Sequence, residues 1–262
     1  VIPVHFAGVA VDMVRLEILA DKYGFFVLED AAHALEAVSN AGKVGNTYDA
    51  AAFSFYANKN ITTGGEGGAV TTNDSSLAQK IKKLSLHGMS MDGWGRYKGR
   101  CSWAYDISEL GYKYNMTDVA ACFGLEQLQH LQSWHMRRVE IVQLYHKGLK
   151  NIQGLILPDQ DDQLTYAWQL FIIQLKPAEW RIGRDDIIEK LNKVGIGTSV
   201  HYIPVHTHSY YARKYGWKPL NYPMAHRLSE TVISLPLYPA LKDHEITYII
   251  DQIKRLWEQY II

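Results

Sequence analysis

The period of the apolar positions changes several times along the chain, and each change marks an element. Val1–Phe6 is a short apolar run that reads as a buried strand. Val11, Val14, Leu16, Ile18 and Leu19 then recur at helical spacing up to Tyr23, and Gly24 closes that helix. Phe25–Leu28 is a strand again. Strand, helix and strand in quick succession predict a parallel sheet covered by helices. Ala50–Tyr56 and Gly67–Thr72 read as further strands, and Asn73-Asp74 caps a helix over Ser75–His87. Met89–Tyr105 is rich in glycine, arginine and aromatics and has no period, so it reads as a long functional or interfacial loop. Thr117 or Asp118 caps a helix running to Leu131, and a second helix follows from Trp134 to Leu149.

From Asn151 the texture changes. Ala167–Leu175 and Gly197–Tyr202 read as strands with a helix over Arg184–Val194 between them. Tyr222-Pro223 opens a helix to Thr231, Val232–Leu235 is short and apolar, and Asp243 caps a last amphipathic helix to Tyr260. The expected class is α/β. Residues 1–131 form a large domain with a mainly parallel sheet, and residues 132–262 hold a bridging helix and a smaller α/β domain. No internal repeat or low-complexity segment interrupts this pattern.

Parallel sheets bind ligands beyond the carboxyl ends of their strands. Asp30 ends the run Phe25–Asp30, and Lys59 follows the run Ala50–Tyr56. A lysine there is placed to form an imine with an aldehyde. A carboxylate at the neighbouring strand end suits pyridoxal phosphate (PLP), whose ring nitrogen takes an anion. Each residue alone has a plainer reading: Asp30 as a helix cap or turn residue, Lys59 as a lysine reaching solvent from a strand end. Ser54 points away from Phe53 and Phe55, so its hydroxyl is available to a phosphate or to nearby backbone. His33 is placed to touch a cofactor ring or its phenolic oxygen, and spacing alone serves a plain surface or core histidine equally well. Gly64–Gly68 precedes a strand, so it reads as a tight turn passing close to the lysine rather than as a phosphate loop. His201, His206 and His208 lack the register of helical metal ligands, which favours substrate contact or structure over metal. Tyr202, Tyr210 and Tyr211 offer polar aromatic surface suited to stacking on sugars or bases.

Composition narrows the classes further. Lysine plus arginine equals aspartate plus glutamate at 27 each, which argues against broad binding to nucleic acid or acidic membranes. Apolar residues make up 47% of the 262, enough for a sizeable core. The two cysteines, Cys101 and Cys122, have no metal-ligand spacing and read as free thiols in a reducing compartment. No apolar stretch approaches the ~20 residues of a membrane span, and the opening lacks a signal-peptide pattern. The reading is cytoplasmic. The chain opens on Val1 inside a strand, like a piece of a longer protein.

Assembled in order, these segments resemble the DegT/DnrJ/EryC1/StrS family of PLP-dependent sugar aminotransferases. The resemblance rests on Leu28-Glu-Asp-Ala-Ala-His-Ala-Leu35, Phe53–Thr63, Gly65-Glu-Gly-Gly68 with Thr71–Asp74, Leu110–Asp118, Val200-His-Tyr-Ile-Pro-Val-His206 and Ile233–Leu237. It implies a fold-type-I aminotransferase in which Asp30 pairs with the pyridine nitrogen, His33 contacts the ring, Ser54 binds the phosphate and Lys59 is the Schiff-base lysine. It also implies a homodimer, because the segment around Lys113 and Asn115 matches a loop reaching the neighbouring subunit's cofactor phosphate. Many relatives carry asparagine at the position of Lys113. His201 and Tyr202 match a segment lining the sugar site.

The implied substrates are a nucleotide-linked keto sugar and an amino acid donor, glutamate, giving an amino sugar for surface polysaccharide. Two alternatives stay open. A dehydratase of the same family carries histidine in place of the lysine, so Lys59 speaks against it. The other is an inactive fragment, since relatives carry a long stretch before the equivalent of Val1 that holds the phosphate loop and the ring-stacking aromatic.

Overall fold

The computed structural model describes residues 1–46, 48–89, 105–161 and 164–262. All but the two ends of the expected Met89–Tyr105 loop, Cys101 included, lies outside the described residues. The chain divides into two compact units. One is Val1–Leu131 with Gln163–Ala167, the other Gln132–Asp162 with Trp168–Ile262.

In the first unit, α1 (Met13–Tyr23) begins where the Asp12 carboxylate accepts the Arg15 N–H. It stops at Gly24, whose φ of 67° is a left-handed turn that glycine adopts without strain. β1 (Leu28–Asp30) follows, then a short antiparallel hairpin of β2 (Val38–Ser39) and β3 (Gly42–Lys43), then β4 (Ala50–Ser54) and β5 (Gly68–Thr71). β1 and β4 pair in parallel with Asp30 opposite Ala52, while β4 and β5 pair antiparallel with Ser54 opposite Gly68. The α/β class stands, but the described sheet is mixed rather than mainly parallel. The return from Ser54 to Gly68 contains no helix to make a crossover, and without one a strand comes back antiparallel.

The expected strand over Val1–Phe6 reduces to a single bridge between Val4 and Asp30. Pro3 has no N–H to add to a ladder. Three backbone bonds still tie this segment to β1: Leu28 N–H to Val1 O at 3.0 Å, Asp30 N–H to Pro3 O at 2.8 Å, and His5 N–H to Asp30 O at 3.1 Å. A small-residue core of Ala31, Ala34, Ala37, Ala51, Val44 and Ala167 packs behind the sheet with Phe53 against it. α2 (Ser75–Leu84) is capped by Asp74, which accepts the N–H groups of Ser76 and Leu77.

α3 (Asp118–Leu149) is one continuous helix of 32 residues, where the sequence reading expected two. Gln132 and Ser133 are neither glycine nor proline, so nothing between the two expected helices breaks the ladder. The Thr117 hydroxyl accepts the Ala120 N–H at the start. Residues up to Leu131 belong with the first unit and those from Gln132 with the second.

The second unit holds an antiparallel sheet in the order β6 (Leu155–Ile156), β7 (Phe171–Leu175), β8 (Val232–Leu235). Its helices after α3 are α4 (Arg184–Lys193), α5 (Ser209–Tyr215), α6 (Pro223–Thr231) and α7 (Asp243–Tyr260). The expected strand over Gly197–Tyr202 makes only one bridge, Ser199 with Ser234 on β8. The α7 start is fixed by Glu245, whose carboxylate accepts the Lys242 N–H at 2.8 Å. The expected cap, Asp243, instead accepts from Arg137 at 2.6 Å. The buried Tyr145 of α3 and Phe171 of β7 meet with their rings tilted by 30° and 4.9 Å apart, and Leu191 of α4 with Ile246, Ile249 and Ile253 of α7 are buried as well. Among the described residues, no helix is long and apolar enough to cross a membrane.

Candidate active site

Side chains alternate across a strand, so the parallel register puts Leu28, Asp30, Ala52 and Ser54 on one face. With Ile2 and Ala32 they line a cavity of about 310 Å³. Asp30 Oδ1 accepts the Ala32 N–H at 3.1 Å, which fixes the carboxylate. The Ser54 hydroxyl oxygen accepts the Tyr56 N–H at 3.3 Å, so its proton is left to give.

Lys59 sits half-buried in the turn after β4, with its N–H on the Tyr56 carbonyl at 3.0 Å. Burial pushes its ammonium below the ordinary value of 10.5, and the Asp30 carboxylate works against that shift. The two groups therefore feel each other's charge. An amine that loses its proton more readily is a better nucleophile.

The turn itself is pinned at several points. Thr63 N–H donates to Phe55 O at 3.1 Å, its hydroxyl to Glu66 O at 2.9 Å, and Phe55 N–H to Gly67 O at 2.8 Å. Thr62 N–H donates to Gln127 Oε1 of α3 at 2.8 Å. Next to the lysine, the buried Asn60 donates to Ala167 O at 2.8 Å. A Cβ on Gly67 would come within 1.9 Å of Thr63 Oγ1, and one on Gly68 within 2.6 Å of Phe53 O. The glycines let the backbone pass, the role their position before a strand suggests.

His33 accepts the Ala7 N–H on Nδ1 at 3.2 Å, which puts the proton of the neutral ring on Nε2. Lys113 and Asn115 are exposed and bonded to each other, outside the residues lining the Asp30–Ser54 cavity. Their segment is anchored by Tyr112 N–H to Leu84 O at 2.7 Å and Tyr114 N–H to Ser85 O at 2.8 Å. His201 and Tyr202 lie in the second unit. His201 Nδ1 is 2.7 Å from Ser234 Oγ, and its ring meets that of Tyr202 edge-on at 4.7 Å. His206 is buried, with Nε2 3.2 Å from Pro219 O and its ring 4.8 Å from Tyr222, a packing role. Among the described residues, no group of three His, Cys, Asp or Glu side chains is gathered as a metal would require.

Asp30 and Ser54 thus stand at the ends of adjacent parallel strands, with the Lys59 amine, in the turn after β4, close enough to feel the Asp30 charge. A carboxylate, a hydroxyl and an amine are groups that suit PLP. The model of the DegT/DnrJ/EryC1/StrS aminotransferase family matches residues 1–254, and the chain belongs to that family. It is 43% identical over 256 residues to uncharacterized protein MJ1066 of Methanocaldococcus jannaschii, covering 98% of this chain and 66% of that protein. It is 43% identical over 255 residues to the spore coat polysaccharide biosynthesis protein SpsC of Bacillus subtilis, covering 97% and 65%. Among solved structures, the putative sugar aminotransferase Spr1654 of Streptococcus pneumoniae in its PMP form superposes with a TM-score of 0.88 at 32% identity, covering 98% of this chain and 69% of that one. A PLP form of Spr1654 is also solved. The chain thus spans just under two thirds of the length of these two sequence relatives. Family and solved forms together indicate PLP as the cofactor. The residues present fit it: the cavity offers Asp30 for a ring nitrogen and Ser54 for a phosphate, with the Lys59 amine close by.

The sequence reading missed the support around these groups. Ala32 lines the cavity and its N–H holds Asp30, and Asn60 and Thr63 brace the lysine turn. The small residue Ala32, two positions after Asp30, was the available signal for a cavity wall.

Proposed function

We propose that the whole protein transfers an amino group from an amino acid, glutamate, to a nucleotide-linked keto sugar. The product is an amino sugar for surface polysaccharide. The observation that carries this is the half-buried Lys59 within reach of the charge of Asp30. When bound, PLP supplies an aldehyde that condenses with amines and a ring that absorbs the electron pair released by a breaking C–H bond. Asp30 would hold the proton on the ring nitrogen, Ser54 would donate to the phosphate, and His33 would border the ring. Lys59 would move the proton from the donor Cα to the cofactor in the first half-reaction and from the cofactor to the sugar carbon in the second. Lys113 and Asn115 serve the phosphate of a second subunit's cofactor, so the working form is a homodimer. His201 and Tyr202 line the sugar side. Residues 1–131 act as the PLP-binding domain and 132–262 as the bridging helix and small domain. The names of the relatives support a sugar substrate and a polysaccharide product. Cysteine usage supports a cytoplasmic setting.

The test incubates the whole protein with PLP, glutamate and a panel of nucleotide keto sugars. An aminated sugar and 2-oxoglutarate are expected. Lys59→Ala should lose both turnover and the imine absorbance. Full turnover in that variant overturns the assignment of Lys59, and a deoxygenated product replaces transamination with dehydration.

A further inference from the structure

His5 is fully buried and joins three segments of the first unit. Its Nε2 lies 2.9 Å from Oε2 of the equally buried Glu29. Its Nδ1 accepts the Val11 N–H at 3.0 Å, ahead of α1. A nitrogen that accepts a backbone N–H carries no proton, so the imidazole proton is on Nε2 and is given to Glu29. Glu29 precedes Asp30 on β1, and alternation sends its side chain to the face opposite Asp30.

The backbone completes the arrangement. His5 N–H donates to Asp30 O at 3.1 Å, and Asp30 N–H donates to Pro3 O at 2.8 Å. Two residues beyond His5, the Ala7 N–H holds His33 Nδ1 at 3.2 Å. Ala7 has φ +58°, a left-handed turn that alanine adopts only where its surroundings impose it. One short stretch, Pro3–Ala7, thus grips the main chain of Asp30 on both sides and the ring of His33. The buried pair locks that stretch onto the back of β1. Glu29 and His5 are 24 residues apart in sequence, so the lock ties separate segments together.

We infer that His5 and Glu29 are positioning residues for the cofactor site: their buried bond, from behind β1, sets where the Asp30 carboxylate and the His33 imidazole stand. This rests on the PLP reading above. PLP affinity then depends on the lock, and by linkage PLP loading tightens it.

The experiment compares the whole wild-type protein with His5→Asn and Glu29→Gln. Asparagine keeps an acceptor for the Val11 N–H and loses the reach to Glu29. Glutamine keeps an acceptor for His5 Nε2–H. His5→Asn should weaken PLP binding about tenfold and move the pH midpoint of the imine absorbance, while Glu29→Gln stays within about twofold. A purely structural role would lower the melting temperature but leave the affinity and midpoint of the folded protein unchanged, and that result overturns the inference. Amide exchange of the wild type decides the matter even where His5→Asn fails to fold. PLP loading should slow exchange of the Ala7 and Val11 N–H groups, and exchange unaffected by loading overturns the inference. A wild type that takes no PLP overturns the PLP reading itself, and this inference with it.

Discussion

Lys59 illustrates how a half-buried amine weakens the fold that carries it. Burial lowers its proton affinity below 10.5, so between the folded value and 10.5 the unfolded chain binds more protons. The sign follows: the penalty is fully present below the folded value and is lost as pH rises through that window. Lys59→Met should therefore raise the melting temperature of the cofactor-free protein by about 1–2 °C near neutral pH. The gain should shrink as pH approaches 10.5. Melts at the two pH values check this, and a less stable methionine variant at neutral pH would contradict it. Arg138 shows the same physics without a reactive role. It is buried, its proton affinity is pushed down to about 10, and it donates to the carbonyls of Trp168 and Leu237 at 3.2 and 2.9 Å.

Between residue and molecule, the β4–β5 connection sets where Lys59 stands beyond the end of β4. Gly68→Ala would put a methyl 2.6 Å from the Phe53 carbonyl, whereas at Gly197 nothing lies within 4 Å. Gly68→Ala should cost about 1–3 kcal/mol in urea unfolding and weaken PLP binding, while Gly197→Ala stays within about 0.5 kcal/mol. The same element shows what a sequence makes legible. The placement of Asp30 and Ser54 on one face, and of Lys59 just past β4, was legible because strand ends and two-residue alternation are local. The extent of β1 was not: Glu29 and Asp30 are polar, and apolar pattern alone ends the strand at Leu28. It continues because Pro3 and His5 bond to it from elsewhere in the chain. The continuity of α3 is legible in Gln132 and Ser133, which carry no breaker, although the apolar pattern alone suggests a new start at Trp134. The meeting of His5 with Glu29 depends on the pairing along β1, which no local window contains.

At the scale of the whole molecule, the proposed dimer makes a claim about shared sites. If Lys113 of one subunit serves the cofactor beside Lys59 of the other, Lys59→Ala and Lys113→Ala dimers are each impaired alone. Unfolded together and refolded, they should recover about a quarter of wild-type activity, because half the dimers are mixed and each mixed dimer has one intact site. Recovery no greater than the sum of the two separate preparations would argue against sharing. The return of Gln163–Ala167 to the first unit has a different kind of consequence. Ala167 is fully buried there, its carbonyl holds Asn60 at 2.8 Å, and Thr165 bridges Val38. The unit that carries Lys59 is thus stitched from two separated lengths of chain. A gene cut after Leu131 would leave Asn60 and Val38 without those partners, so this half is not a cassette that recombination can lift out and graft onto another protein.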